Sequence, residues 1–389
     1  VTTLLLIIIY IAFVSLGLPD SVLGAAWPTI YQEINVPVSY VGIVSMIIAG
    51  GTIVSSLFSN KLMQKLRTGM IVALSTALTA VALLGFSFSH SFWQLCLWGI
   101  PYGFGAGSID AVLNHYVALH YKSRHMSWLH CFWGVGATVG PYIMGLYLTN
   151  HWGWNSAYRT IGSVQVVLAA LLFISSPLWK GAKNASASES APSNVRIMDA
   201  IRVPGVKAVL VAFFCYCALE TTAGMWASSY LVLGKGIGAD TAAKWTALFF
   251  IGISVGRFLC GFVTDKLGDR TMERIGYSTM LLGAVVLLIP FGNAASFAGL
   301  ILIGFGCAPI YPSVIHATPI HFGRDNSQAL IGMQMAGAYV GSTFMPPVFG
   351  LIADYINVAL YPAYLLMFIV LMIVMLEISN REVQRGIKR

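Results

Sequence analysis

Charge is what this sequence has least of. Asp, Glu, Lys and Arg make up 9% of its 389 residues, against 57% hydrophobic residues and a mean hydropathy of +0.78. A water-soluble domain is about one quarter charged, so there is too little polar surface here to cover a soluble particle. Soluble enzyme, secreted scaffold and disordered chain are excluded. Signatures of chemistry are missing as well. There is no Walker-type G-x-x-x-x-G-K-[ST] for ATP and no H-E-x-x-H for zinc. No basic, aromatic-interleaved soluble face offers itself to nucleic acid. Cysteine is sparse: Cys96, Cys131, Cys215, Cys217, Cys260 and Cys307 all fall within apolar segments, away from any oxidising loop and without metal-site company. They read as packing residues. No enzymatic activity, cofactor or metal is expected.

What fills the chain is long apolar runs. A spanning helix takes about 20 mostly apolar residues. Twelve stretches qualify, roughly 4–28, 38–59, 69–88, 92–119, 126–149, 156–178, 206–233, 242–264, 273–292, 296–319, 326–352 and 359–378. Barrel strands alternate over about 10 residues, so continuous runs exclude a β-barrel. The first run lacks a basic start and a small-residue cleavage site, and reads as a spanning helix, not a signal peptide.

The net charge of +8 is placed unevenly. Lys61, Lys65, Arg67, Lys122, Arg124, Lys180, Lys183, Arg196, Arg202, Lys207, Lys266, Arg270, Arg274, Arg324, Arg381, Arg385, Lys388 and Arg389 fall on one side of the alternating segments, hereafter the basic face. Those are eighteen of the 22 Lys and Arg. Arg159, Lys235 and Lys244 fall on the opposite face, and Arg257 lies within a helix. The bias predicts both termini in the cytoplasm and a multi-pass protein of the inner (plasma) membrane. The basicity is a topology signal, and the lipid bilayer is its partner.

The one long hydrophilic stretch, 180–204, includes the Ser/Ala-rich run NASASESAPSN and reads as a cytoplasmic linker. It divides the chain into an N-terminal six-helix bundle, 1–179, and a C-terminal one, 205–389. The two repeat each other. Gly103-Phe104-Gly105 recurs as Gly304-Phe305-Gly306, and at the same spacing His115 and His120 match His316 and His321. Asn60-Lys61-Leu62 matches Asp265-Lys266-Leu267; Pro141 with Gly145-Leu146 matches Pro346 with Gly350-Leu351; Asp20 and Gly24 match Glu220 and Gly224. Six helices per repeat is an even number, so both halves run the same way through the membrane. The expectation is an all-α membrane protein of 12 transmembrane helices in two parallel six-helix repeats, with substrate held between halves.

Several motifs resemble those of the major facilitator superfamily. Gly261 to Arg270, after the eighth segment, is similar to its signature G-x-x-x-D-[KR]-x-G-[DRK]-[KR], with Gly256-Arg257 one turn earlier. The resemblance implies an inner-gate role for Asp265, Lys266, Arg270 and Arg257. The first-half copy, Ser56 to Thr68, has Asn60 in place of the Asp, so the gate rests mainly on the second half. Three further segments resemble the fucose–glucose–galactose permease branch, whose members are cation-coupled sugar symporters: Gly103 to Asp110 with Asn114, Ala218 to Thr222, and Gly304 to Pro312. That implies a carboxylate and Asn pair at Asp110 and Asn114, and a Glu before Thr at Glu220. In a fucose–proton symporter of that branch an Asp of the first helix takes part in coupling. Here Gly24 stands at that place, with Asp20 one turn away.

An ionisable group at the bilayer centre costs at least about 2.5–3.5 kcal/mol, so each needs a reason. The candidates are Asp20, Asp110, Glu220 and Arg257. Burial disfavours the charged form of a carboxyl, which lets it take up and release a proton near neutral pH. Asp110 is the first choice for proton coupling, with Glu220 and Asp20 beside it. For substrate, a sugar offers hydroxyls and an apolar C–H face. Asn114, His130, Trp133, Glu220, Trp226, Tyr311 and Gln334 supply hydrogen bonds and aromatic faces, with His115, Tyr230, His316 and Tyr339 as further polar or aromatic side chains. Gly134, Gly136, Gly140 and Pro141, mirrored by Gly337, Gly341, Pro346 and Pro347, suit helices that approach closely and bend. The sequence thus reads as a monomeric secondary transporter, a proton-coupled monosaccharide symporter working by alternating access, with Na⁺ as the other coupling ion. The alternative is a proton-coupled drug or metabolite efflux antiporter of the same fold.

Overall fold

The computed structural model describes residues 2–121, 123–179, 201–289 and 292–387. Most of the expected linker, 180–200, lies outside the described residues. The apolar runs form helices because a bilayer leaves backbone amides no other partner. They are α1 Thr2–Asp20, α2 Val22–Glu33, α3 Val41–Lys65, α4 Thr68–Ser87, α5 Phe92–His120, α6 Ser123–Thr149 and α7 Trp154–Ser175. After the linker come α8 Val206–Ser229, α9 Ala239–Leu267, α10 Asp269–Leu288, α11 Gly292–Phe322, α12 Arg324–Ile352 and α13 Tyr361–Ile387. The first apolar run is therefore two helices. Proline at Pro19 removes a backbone donor, and the helix breaks at Ser21, whose Oγ donates to Ala137 O at 2.7 Å.

Among the described residues, nine stretches are long and apolar enough to cross a membrane by length and composition. Twelve were expected. α5 carries Gln94, Asp110 and Asn114 among glycines, and α10 opens with Asp269, Arg270, Glu273 and Arg274, so neither is apolar enough. α12 and α13 fall within one continuous stretch, Leu330–Arg385.

Within the first seven helices, α3 and α4 pack on α5, α1 on α6, and α4 on α7. The same pairings recur among α8 to α13: α9 and α10 on α11, α8 on α12, and α10 on α13. Glycine makes the correspondence atomic. Gly103 lies against Ile48 O of α3, and Gly304 against Phe249 O of α9, leaving no room for a side chain at either position. Gly51 meets Gly103 and Phe104, as Gly252 meets Gly304 and Phe305. The G-F-G motif is thus a helix-packing device.

Among the described residues the two sets are joined chiefly by α6 with α9, α2 with α8, and α3 with α12, with α2 also meeting α9. Their hydrogen bonds, among the described residues, run from mid-bundle to the opposite face. There Ser228 Oγ donates to Ala25 O at 3.0 Å, and a Cβ on Gly24 would lie 2.5 Å from Met225 O. Lys244 Nζ donates to Thr149 Oγ1 at 2.7 Å, and Ser39 N–H to Asp354 Oδ2 at 3.2 Å. The opposite face is closed.

Candidate functional site

Asp20 ends α1 at the helix break, midway through an apolar run, and is exposed between buried neighbours. A charge there survives because it is hydrogen-bonded. Tyr102 OH of α5 donates to Oδ1 at 2.6 Å, and Trp133 Nε1 of α6 donates to Oδ2 at 2.9 Å. Small residues make the approach possible: Gly17 of α1 lies against Trp133 O, while Gly136 and Gly140 of α6 lie against Val14 O and Leu18 O. Gly134 faces the other way, against Ser254 Oγ of α9. The α6 glycines therefore seat that helix between the two sets.

Across this seam stands the second charged group. Arg257 of α9 pairs with Glu220 of α8 at 3.1 Å, with side chains only 11% and 19% exposed. Its guanidinium carbon sits 5.6 Å from the centre of the Trp133 ring, within cation–π range. Asp20, Trp133, Arg257 and Glu220 thus form a continuous polar chain from α1 to α8. The motif resemblance put Arg257 at the inner gate. The structure instead sets it about three turns before the end of α9 at Leu267, inside the bundle.

Asp110 and Asn114, one turn apart on α5, meet as their spacing requires. Asn114 Nδ2 donates to Asp110 Oδ1 at 2.9 Å, so the amide is occupied in holding the carboxylate. Gly107, on the same stripe, packs against Thr52 of α3. His130 faces Tyr311 across the seam with ring centres 6.3 Å apart, and Tyr311 OH reaches Met335 Sδ at 3.4 Å.

Two expected substrate contacts lie elsewhere. Trp226 is fully buried, donates to Pro346 O at 2.9 Å and packs on Phe349, so it serves the closure of α8 on α12. Gln334 is 0% exposed and exchanges hydrogen bonds with Thr318 Oγ1 at 3.0 and 3.2 Å inside the α11–α12 contact. Both hydrogen bonds meet a polar need created by burial.

The gate motif is braced within the second set. Gly268, at φ 76°, turns α9 into α10, a conformation that favours glycine. His316 Nδ1 lies 2.7 Å from Asp269 Oδ2, which places this histidine at the basic face and not mid-bundle. Arg274 binds Glu377 of α13 through two 2.9 Å hydrogen bonds, and Arg270 stands 3.9 Å from the same carboxylate. Lys266 is exposed. The side chains of Asp265, His115 and His120 lie outside the described residues.

Tyr102 is the site residue that sequence reasoning missed. Its one signal is a phenol in an apolar run, which needs a partner for its hydroxyl, but nothing in the spacing names Asp20. The run Gly252-Ile253-Ser254-Val255-Gly256 has the G-x-S-x-G spacing of a nucleophile elbow. It lies within α9, where Ser254 Oγ donates to Phe250 O at 2.7 Å, so it is a helix-packing segment.

Comparison with known proteins agrees with this architecture. The family model of the Major Facilitator Superfamily matches residues 9–243 and 209–385. The chain is 25% identical over 390 residues to Bypass of stop codon protein 6 of Saccharomyces cerevisiae, covering 90% of this chain and 77% of that one. It is 23% identical to the glucose/mannose transporter GlcP of Bacillus subtilis, covering 78% and 77%. To the cis,cis-muconate transport protein of Acinetobacter baylyi it is 21% identical, covering 84% and 81%. Among solved structures, the inward-facing, unoccupied bacterial homologue of the human lysosomal transporter Spinster superposes with a TM-score of 0.76 at 11% identity, covering 99% and 98%. The nucleoside transporter NupG gives 0.75 at 13%, covering 96% and 98%. These last two speak for the fold alone. The chain is a multi-pass membrane protein and a secondary transporter of small molecules, not an enzyme, and it belongs to the Major Facilitator Superfamily.

Proposed function

We propose that this transporter is a proton-coupled symporter of a monosaccharide, hexose- or fucose-like, working by alternating access. In this reading twelve spans form two parallel bundles, 1–179 and 205–389, joined by the 180–204 linker, with both termini in the cytoplasm. Closure of the opposite face then corresponds to a state open toward the cytoplasm.

The observation that carries the proposal is the exposed Asp20 carboxylate, held by Tyr102 and Trp133 at a helix break on the seam between bundles. A carboxylate beside an indole face is suited to sugar, giving an acceptor for hydroxyls and an apolar plane for C–H groups. The charges narrow the substrate class further. Asp20, Asp110 and Glu220 outnumber the single Arg257, so the ionised site repels a dianion such as a dicarboxylate and tolerates a neutral ligand. The likeness to a glucose/mannose transporter points the same way. Asp110, held by Asn114, is the first proton carrier in this reading, with Glu220 and Asp20 titrating beside it and Asp20 the carboxylate nearest the substrate.

Uptake into proteoliposomes tests it. An inward proton gradient should drive accumulation of a labelled hexose, and collapse of the gradient should abolish it. Gradient-driven expulsion of a cationic dye without hexose uptake would instead establish an efflux antiporter. Sodium-dependent, pH-insensitive uptake would overturn the proton assignment while leaving the sugar.

A further inference from the structure

We propose that Trp133 is the positioning residue that links the charge states of the two bundles: its indole N–H holds the Asp20 carboxylate of the first, and its ring face holds the Arg257 guanidinium of the second. The inference rests on the proton-coupled reading above and adds the path by which a proton on one bundle is felt by the other.

The geometry leaves the indole little freedom of placement. Its backbone carbonyl is pressed by Gly17 of α1, its successor Gly134 by Ser254 of α9, and its ring meets the edge of Phe250 at 6.3 Å. From that fixed root the nitrogen edge reaches Asp20 Oδ2 at 2.9 Å while Arg257 lies over the face at 5.6 Å. Indole N–H is a donor only. Toward an ionised carboxylate it makes a charge-assisted bond, and toward a carboxylic acid an ordinary one. Tyr102 OH donates to the other oxygen, Oδ1, at 2.6 Å, so both carboxylate oxygens are hydrogen-bonded, and a proton on either one removes the charge that strengthens the indole bond. The proton comes from water and no other bond is made or broken. The indole is then held less tightly, the aromatic face over the guanidinium moves with it, and Arg257 stays with Glu220 and Tyr216 of α8. The charged and titratable groups around this chain are Tyr102 and Asp110 of α5, Tyr158 of α7 beside Tyr102, His130 and Cys131 of α6, Tyr216, Cys217 and Glu220 of α8, Arg257 and Cys260 of α9, and Cys307 of α11. Asp20 alone among the acids accepts the indole hydrogen bond.

The test reads the distance between bundles on the opposite face, and so needs no substrate. Spin labels on His90→Cys and Lys235→Cys, both exposed, are placed in a Cys131→Ala, Cys260→Ala background in lipid nanodiscs and measured by double electron–electron resonance from pH 5 to 8. The unmutated pair should show a pH-dependent change in the distance distribution. Trp133→Phe keeps a ring and loses the donor. It should abolish that change and give the low-pH distribution throughout, as should Asp20→Asn, and the double variant should match either single one. A full pH response in Trp133→Phe overturns the proposal and leaves proton coupling standing. No response in the unmutated pair overturns proton coupling itself, and this inference with it.

Discussion

Asp110 and Asp20 show how little of a residue's role lies in the residue itself. Both are acids in apolar helices, yet one is tied to an amide on its own helix and the other to two aromatic donors from distant helices. Asp110→Asn should therefore lose accumulation against a gradient while retaining part of substrate exchange. Counterflow and gradient-driven uptake on the same vesicles check this. Tyr102→Phe removes one donor that stabilises ionised Asp20. Hydrogen bonds to charged groups contribute about 1.5–3 kcal/mol, and losing one favours the protonated acid, so the pH dependence of uptake should move toward higher pH. An unchanged profile would detach Tyr102 from coupling. The acids could be recognised in the sequence because a charge in lipid demands a reason. Their partners could not. Tyr102 and Trp133 are 82 and 113 residues from Asp20, and helical periodicity names a face without naming what the face meets.

At the scale of the helix, glycine does the positioning. The repeat read from G-F-G became, in three dimensions, the same close crossing built twice, α5 on α3 and α11 on α9. Gly304→Ala forces a methyl against Phe249 O, and overpacking of this kind costs about 1–3 kcal/mol. Detergent thermal melts should show a clear loss of stability, whereas Gly261→Ala, with open space at its Cβ, should not. The repeated motif marks these glycines in the sequence, but nothing in it names what approaches them. At Gly103, Gly107 and Gly304 a neighbouring backbone fills the space. The break at Ser21 was signalled by Pro19, but its consequence, an acid exposed at the seam, depends on how α1 turns against α6.

For the molecule as a whole, closure of the opposite face rests on a few contacts between bundles. At the α2–α8 crossing Gly24 lies against Met225 with no room for a side chain. Gly24→Leu should prop that crossing open. A Ser228→Cys reporter, buried and facing Ala25 when the face is closed, should then react faster with a membrane-impermeant maleimide added from that side. Equal labelling rates with and without Gly24→Leu would show that the crossing does not control closure.

Composition and periodicity were enough to establish a multi-pass helical membrane protein, because scarcity of charge, long apolar runs and internal repetition are properties of the chain alone. The four intramembrane charges stood out for the same reason. Only the tertiary structure decided which of them meet. It joined Arg257 to Glu220 instead of the gate, put Trp133 between that pair and Asp20, and sealed Trp226 and Gln334 into helix contacts. The physical reason is rotational. A sequence determines which residues share a helix face, but the turn of each helix about its own axis is set by backbone-to-backbone packing with helices far away in the chain.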